Sequence, residues 1–246
     1  MPGFWKTLKR SLGDAYDYLG LVLLCSFVWF GITLGGLSVL RLIPSIFARF
    51  AFLAGFYVLI TAPLTAGVFA VAGKIVTRDD PSPLDVFRGA GQFLTLTWRL
   101  ALGQVIVTVL ILANAAFYLT HESLWIKAIG VLFVYAGLVW ALSAMYHYPI
   151  LIEQRPGVLK VLKRGLLITL DNPAFTVGVF SVIILLTCFC GITLLGLPLL
   201  YMGVASIFQT RALRALFVKY ELLPPEREPV SEEEGAVERK ATRWRM

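Results

Sequence analysis

The sequence predicts an all-α fold, a polytopic transmembrane helical bundle of six spans with amphipathic helices at the membrane interface. Three observations carry the prediction. Mean hydropathy is +0.79 and 58% of residues are hydrophobic, more apolar surface than a soluble globule of 246 residues hides behind a polar exterior. Several apolar runs approach the ~20 residues that a helix needs to cross a hydrocarbon core of about 30 Å. Between them lie shorter segments whose apolar residues recur at helical spacing, opposite basic ones.

Residues 1–18 hold the first such segment. Phe4, Trp5, Leu8, Leu12, Ala15, Tyr16 and Leu19 share one face, with Lys6, Lys9, Arg10, Asp14 and Asp17 on the other. A basic face opposite an aromatic, apolar one suits a helix lying in the headgroup region. The apolar run that follows is too long for a signal-peptide core and lacks a small-residue cleavage site.

The membrane domain, residues 19–217, begins with a span over 19–40. Arg41, Pro44 and Arg49 mark the connection to a second span over 50–72. Pro63 lies inside it, removes a backbone hydrogen bond and predicts a kink. The chain leaves the membrane at Lys74, turns through Arg78, Asp79, Asp80, Pro81 and Pro83, and continues as an amphipathic helix over 84–99. Leu84, Phe87, Ala90, Leu94 and Trp98 form its apolar face; Asp85, Arg88, Gln92, Thr95 and Arg99 are polar. The carboxylates here read as a solvated, helix-capping face.

A third span over 100–119 carries Gln104 and Asn114. A fourth over 128–151 ends in Tyr146, His147 and Tyr148, rings suited to the interface. The third amphipathic helix covers 158–170, after which Asn172 and Pro173 read as an N-cap and first turn. Residues 174–208 are apolar for 35 residues, about 52 Å as one helix. That overshoots the bilayer and predicts a split near 191–198 into two short spans.

Charge orients this topology. With six spans and the N-terminus inside, 19 basic residues fall on the inner side against three outside, Arg41, Arg49 and Lys127. The excess of Lys and Arg places both ends on the cytoplasmic side of the membrane. Residues 218–246 form a cytoplasmic tail. From Pro224 on it is polar and block-charged, with Glu232, Glu233 and Glu234 before Arg239, Lys240, Arg243 and Arg245, and it predicts disorder.

The amphipathic helices read as copies of one device. Trp5-Lys6-Thr7-Leu8-Lys9-Arg10-Ser11-Leu12 matches Leu159-Lys160-Val161-Leu162-Lys163-Arg164-Gly165-Leu166, and Asp17 falls on Asp171 in the same frame. Leu8-Lys9 aligns more weakly on Phe87-Arg88. A three-fold repeat of surface helix plus hairpin accounts for the spacing, with all copies parallel rather than inverted.

Few residues suit chemistry. No Asp, Glu, Lys or Arg lies in the middle of a span, so the usual proton carriers are missing. Gln104, Asn114, Thr187 and Gln209 suit hydrogen bonds between helices. His121 and His147 fall on opposite membrane sides and cannot share a metal, and no Ser and His pair within the spans. Cys25, Cys188 and Cys190 lie in apolar segments as packing residues. No metal, cofactor or catalytic group is expected.

Pro63-Leu64-Thr65-Ala66-Gly67-Val68-Phe69-Ala70-Val71, with the Lys74 that follows, resembles a block of the YesL-like family of bacterial membrane proteins, whose function is unknown. Asp85-Val86-Phe87-Arg88-Gly89, Tyr148-Pro149-Ile150-Leu151 and the stretch 166–177 resemble later blocks. Pro63, Thr65, Gly67 and Lys74 are the motif positions carried by the resemblance. It implies an accessory role near carbohydrate uptake and supplies no catalytic residues.

The expected function is a non-enzymatic accessory, an assembly or regulatory partner of a membrane transport system. The alternative is a transporter or channel component for a small neutral solute, with Gln104 and Asn114 lining its path. Arg88, Gln92, Arg99, Lys160, Lys163 and Arg164 form the candidate docking surface. The expected partners are anionic lipid heads at the cytoplasmic face and a transporter complex or a second copy of the chain. The charge requires no nucleic acid to explain it.

Overall fold

A computed structural model describes residues 3–193 and 195–224; the tail expected to be disordered lies, from residue 225 on, outside the described residues. All regular structure among the described residues is helical. Helix α1 (Phe4–Asp17) leads into α2 (Leu19–Val39), which tightens into a 3-10 turn at Leu40–Leu42. Helix α3 (Ile46–Phe56), a π-helical turn (Tyr57–Thr61) and α4 (Ala62–Thr77) make one limb. The chain continues through α5 (Asp85–Gln92), α6 (Leu94–Leu119), α7 (Leu124–Gln154), α8 (Val158–Asp171) and α9 (Pro173–Thr193). A second π turn (Leu197–Tyr201) then opens α10 (Met202–Lys219).

Among the described residues, five segments are long and apolar enough to cross a membrane: Leu19–Leu42, Ile46–Thr77, Leu94–Leu119, Leu124–Gln154 and Pro173–Thr193. This is the architecture of a multi-pass helical membrane protein. The limb containing α10 is not among them. It carries Arg211, Arg214 and Lys219, and 12 of the 18 residues of α10 are buried. Neighbouring helices, not lipid, surround it.

Burial separates an inner from an outer layer. Twelve of the 16 residues of α4 are buried, against four of 21 in α2 and three of 21 in α9. Helices α4, α7 and α10 pack against one another. Each amphipathic helix rests on one of these three: α5 on α4, α8 on α7, and α1 on α10. Helix α2 packs along α10, where Ser26 Oγ accepts the Gly203 backbone N–H at 2.9 Å.

Two local expectations change. The surface helix expected over 84–99 ends at Gln92; Phe93 breaks it at φ −100°, ψ 6°, and α6 starts at Leu94. Phe93 is buried, so its side chain anchors the corner that turns the chain into the membrane. Trp98 and Arg99 therefore belong to the first turns of a span. At Pro63, where a kink was expected, the helix carries a π turn, Tyr57–Thr61, just before the proline. Lacking an N–H, Pro63 leaves the Leu59 carbonyl four residues back without its usual donor. Trp98 Nε1 reaches that carbonyl at 3.4 Å.

Candidate functional site

At one end of the bundle the surface helices are fixed to the inner helices by charge and by close backbone approach. A Cβ on Gly67 of α4 would lie 2.1 Å from the Val86 carbonyl oxygen, and one on Gly89 of α5 would lie 2.7 Å from the Ala70 Cβ. Only glycine lets the two helices meet there. Asp85, the first residue of α5, is buried. Its carboxylate accepts from Lys74 Nζ at 2.9 Å and from the Ser82 backbone N–H at 2.7 Å, with Arg88 at 4.0 Å. The Lys74 hydrogen bond first, then Ser82, then the Lys74 and Arg88 charges, outweigh burial and hold this carboxyl below the usual carboxylate range. Asp85 is thus a paired anchor, whereas the sequence suggested a solvated cap.

Helix α8 sits on α7 in the same way. A Cβ on Gly165 would meet the His147 ring at 2.7 Å and the Ser143 carbonyl oxygen at 3.2 Å. Arg155, in the left-handed region at φ 47°, ends α7 and stacks over Phe93 at 5.1 Å. With its amide oxygen turned toward Arg155, Gln92 accepts from the guanidinium at 3.0 and 3.3 Å. The α5–α6 corner is thereby tied to the α7–α8 corner. On the third inner helix, Arg211 of α10 pairs with Asp14 of α1, and Arg214 Nε donates to Glu153 Oε1 of α7 at 2.9 Å.

All six candidate docking residues are exposed. Arg88 and Gln92 stand on α5 and Lys160, Lys163 and Arg164 on α8, where Arg164 also donates to Gln154 Oε1. Arg99 lies one turn before Gly103 on α6, and Gly103 faces Val158 and Leu162 of α8. Geometry places the set at one end of the bundle.

A second cluster lies inside the membrane domain. The Tyr57 hydroxyl, at the start of the π turn, donates to Gln104 Oε1 at 2.7 Å and lies 3.1 Å from the Tyr148 hydroxyl. Gln104 Nε2 is 2.9 Å from His147 Nδ1. Thr65 accepts from Trp29 Nε1 at 2.9 Å and donates to the Thr61 carbonyl. Gln104 thus joins α6 to the α3–α4 limb and to α7. Asn114 does not belong to this cluster; its Nδ2 donates to the Leu110 carbonyl of its own helix.

His147 corrects the sequence reading. It is fully buried under α8 and is no interfacial ring, so a Ser and a His do approach within a span. Ser143 Oγ lies 3.5 Å from His147 Nε2, yet its hydroxyl donates to the Trp140 carbonyl at 2.8 Å. The hydroxyl is aimed away from the imidazole, and both side chains are closed off by α8. An activated nucleophile needs the opposite arrangement. The cluster holds helices together.

No family model, curated protein or solved structure matches this chain. Its site is read from its own geometry. Asn172 precedes α9 as expected, but its side chain does not cap: Oδ1 accepts from Lys219 Nζ at 2.5 Å. Sequence reasoning missed Asp14, Arg211, Tyr57 and His147 as structural partners. Thr7, Ser11 and Asp14 at helical spacing were the available signal, a small polar stripe that is buried against α10.

Proposed function

We propose that this chain is a non-enzymatic accessory of the bacterial inner membrane, an assembly or regulatory partner of a transport system with both ends in the cytoplasm. The observation that carries the reading is the docked surface layer. The side chains of Arg88, Arg99 and Lys160 project from helices fastened to the inner core, with no partner among the described residues beyond the Arg88–Asp85 pair. Preorganised charges of this kind give specificity and speed to association at low ordering cost.

The finer architecture belongs to the same proposal. The α10 limb crosses as a sixth span, its polar residues tolerated because other helices surround it. The surface helices are then three parallel copies of one unit, each resting on an inner helix. Helices α1 and α8 support this: each has 14 residues and ends in the aspartate aligned by the sequence match, Asp17 and Asp171. The resemblance to the YesL-like family adds the expectation of a carbohydrate-uptake setting.

A solute path lined by Gln104 and Asn114 is not favoured, since the first is engaged at both ends and the second bonds its own helix. Affinity purification of the full chain from native membranes, with identification of what copurifies, tests the reading. Transport subunits recovered in fixed ratio support it. Their absence, together with solute flux through the purified chain in liposomes, replaces it with the transporter reading.

A further inference from the structure

Helices α6, α7 and α8 enclose an open groove of about 550 Å³. Val107 and Ile111 of α6, Tyr135 and Trp140 of α7, and Leu162 and Leu166 of α8 line it. Its α7 wall runs from Leu132 to Trp140, about 12 Å along the axis, close to the ~15 Å depth of one leaflet's hydrocarbon. Both long walls are helices apolar enough to cross the membrane. Helix α8 closes the end nearest the charged layer.

Lys163 marks what occupies it. Leu159, Leu166 and Leu170 stand four residues before, three after and seven after it, so this lysine lies on the apolar stripe of α8. Leu159 is 82% and Leu170 61% exposed, which makes that stripe the lipid-facing one. Lys163 is exposed there and has no hydrogen bond or ion pair among the described residues. An ammonium in this position extends toward the headgroup level and needs an anion.

We propose that the groove holds one acyl chain of an anionic phospholipid whose phosphate is bound by Lys163. The site is a lipid site built from side chains, distinct from the general attraction of a basic surface to anionic lipid. It goes beyond the accessory reading and does not depend on it.

Trp140 supplies the probe. The full chain is reconstituted in phosphatidylcholine nanodiscs containing a minor fraction of either phosphatidylglycerol or phosphatidylcholine brominated on the acyl chain, and the Trp140 share of the fluorescence is taken as wild type minus Trp140→Phe. Brominated phosphatidylglycerol is expected to occupy the groove about five-fold more readily, the worth of one basic residue near the surface. Lys163→Gln is expected to abolish that preference, and Ala136→Phe, which fills the groove at an exposed position, to abolish the quenching itself. Equal quenching by both lipids in wild type, or quenching indifferent to both substitutions, overturns the proposal. So does the absence of quenching by either lipid, the outcome if a second copy covers the groove. If Trp140→Phe does not fold, phosphatidylglycerol retained by the detergent-purified chain, compared by native mass spectrometry between wild type, Lys163→Gln and Ala136→Phe, decides the matter. Retention unchanged by both substitutions overturns it.

Discussion

Asp14 of α1 and Arg211 of α10 form an ion pair whose side chains are each only 8% exposed, although 197 residues separate them in sequence. The first of the described helices is thereby fastened to the last of them. Removing Arg211 leaves the buried Asp14 carboxylate uncompensated, at a cost of about 3–5 kcal/mol, while replacing both members of such a pair with apolar residues is often neutral. Arg211→Met is expected to lower unfolding stability in detergent by that order, and the Asp14→Leu, Arg211→Met double variant by clearly less. Thermal denaturation of the wild type and the two variants checks it. A double variant as unstable as Arg211→Met alone contradicts the account.

Gly67 and Gly91 make a matched test of the α4–α5 approach. Gly67→Ala drives a methyl into the Val86 carbonyl, whereas a methyl on Gly91 meets nothing within 4 Å. Overpacking of this kind costs roughly 1–3 kcal/mol or more. Gly91→Ala is expected to be neutral or to stabilise by about 0.5–1 kcal/mol through helix propensity. Hydrogen exchange in α5 should rise for Gly67→Ala alone.

Gln104 and Asn114 lie on one helix and predict opposite outcomes. Gln104→Leu strips partners from Tyr57 and His147, and interhelical hydrogen bonds in membranes average about 0.6 kcal/mol with a maximum near 1.7. A loss of about 1–2 kcal/mol is expected. Asn114→Leu should leave stability unchanged, because among the described residues its side chain bonds its own helix alone. Steric-trap or detergent unfolding measurements distinguish the two.

The Asp85 carboxyl gives a pH dependence of known sign. Its folded-state pKa lies below its ordinary value of about 3.9, so the unfolded chain binds the proton more readily. The contribution is fully present above about pH 3.9 and is lost as pH falls through the lower folded value. Melting temperatures measured from neutral pH downward should fall in that window. Lys74→Met, which removes the hydrogen-bonded ammonium, should shallow the fall.

Much of this architecture was legible in the sequence because hydropathy and helical periodicity report local physics. Helix α8 starts at the expected Val158, and the apolar run from Ala174 breaks where Gly191 and Pro198 signalled. The turn at Phe93 was hidden because Leu94, Trp98 and Arg99 continue the amphipathic period across the corner; only tertiary burial of Phe93 ends the helix. His147 looked like an interfacial ring because Tyr146 and Tyr148 flank it. Its burial depends on Gly165, 18 positions further along, allowing α8 to lie on top of it. Arg211 read as an inward-side charge, and nothing local to it announced a partner 197 residues earlier. Of the site, the exposed basic residues were legible, while the contacts that fix them in place were not.

The central claim is that the basic residues on the docked surface layer bind a partner. Quantitative copurification from native membranes, comparing the wild type with the Arg88→Glu, Arg99→Glu and Lys160→Glu triple variant at matched membrane abundance, tests it most directly. The account predicts that the triple variant loses most of the partner, by ten-fold or more if each reversal costs on the order of 1 kcal/mol. Equal recovery of the same partner by both proteins would contradict it.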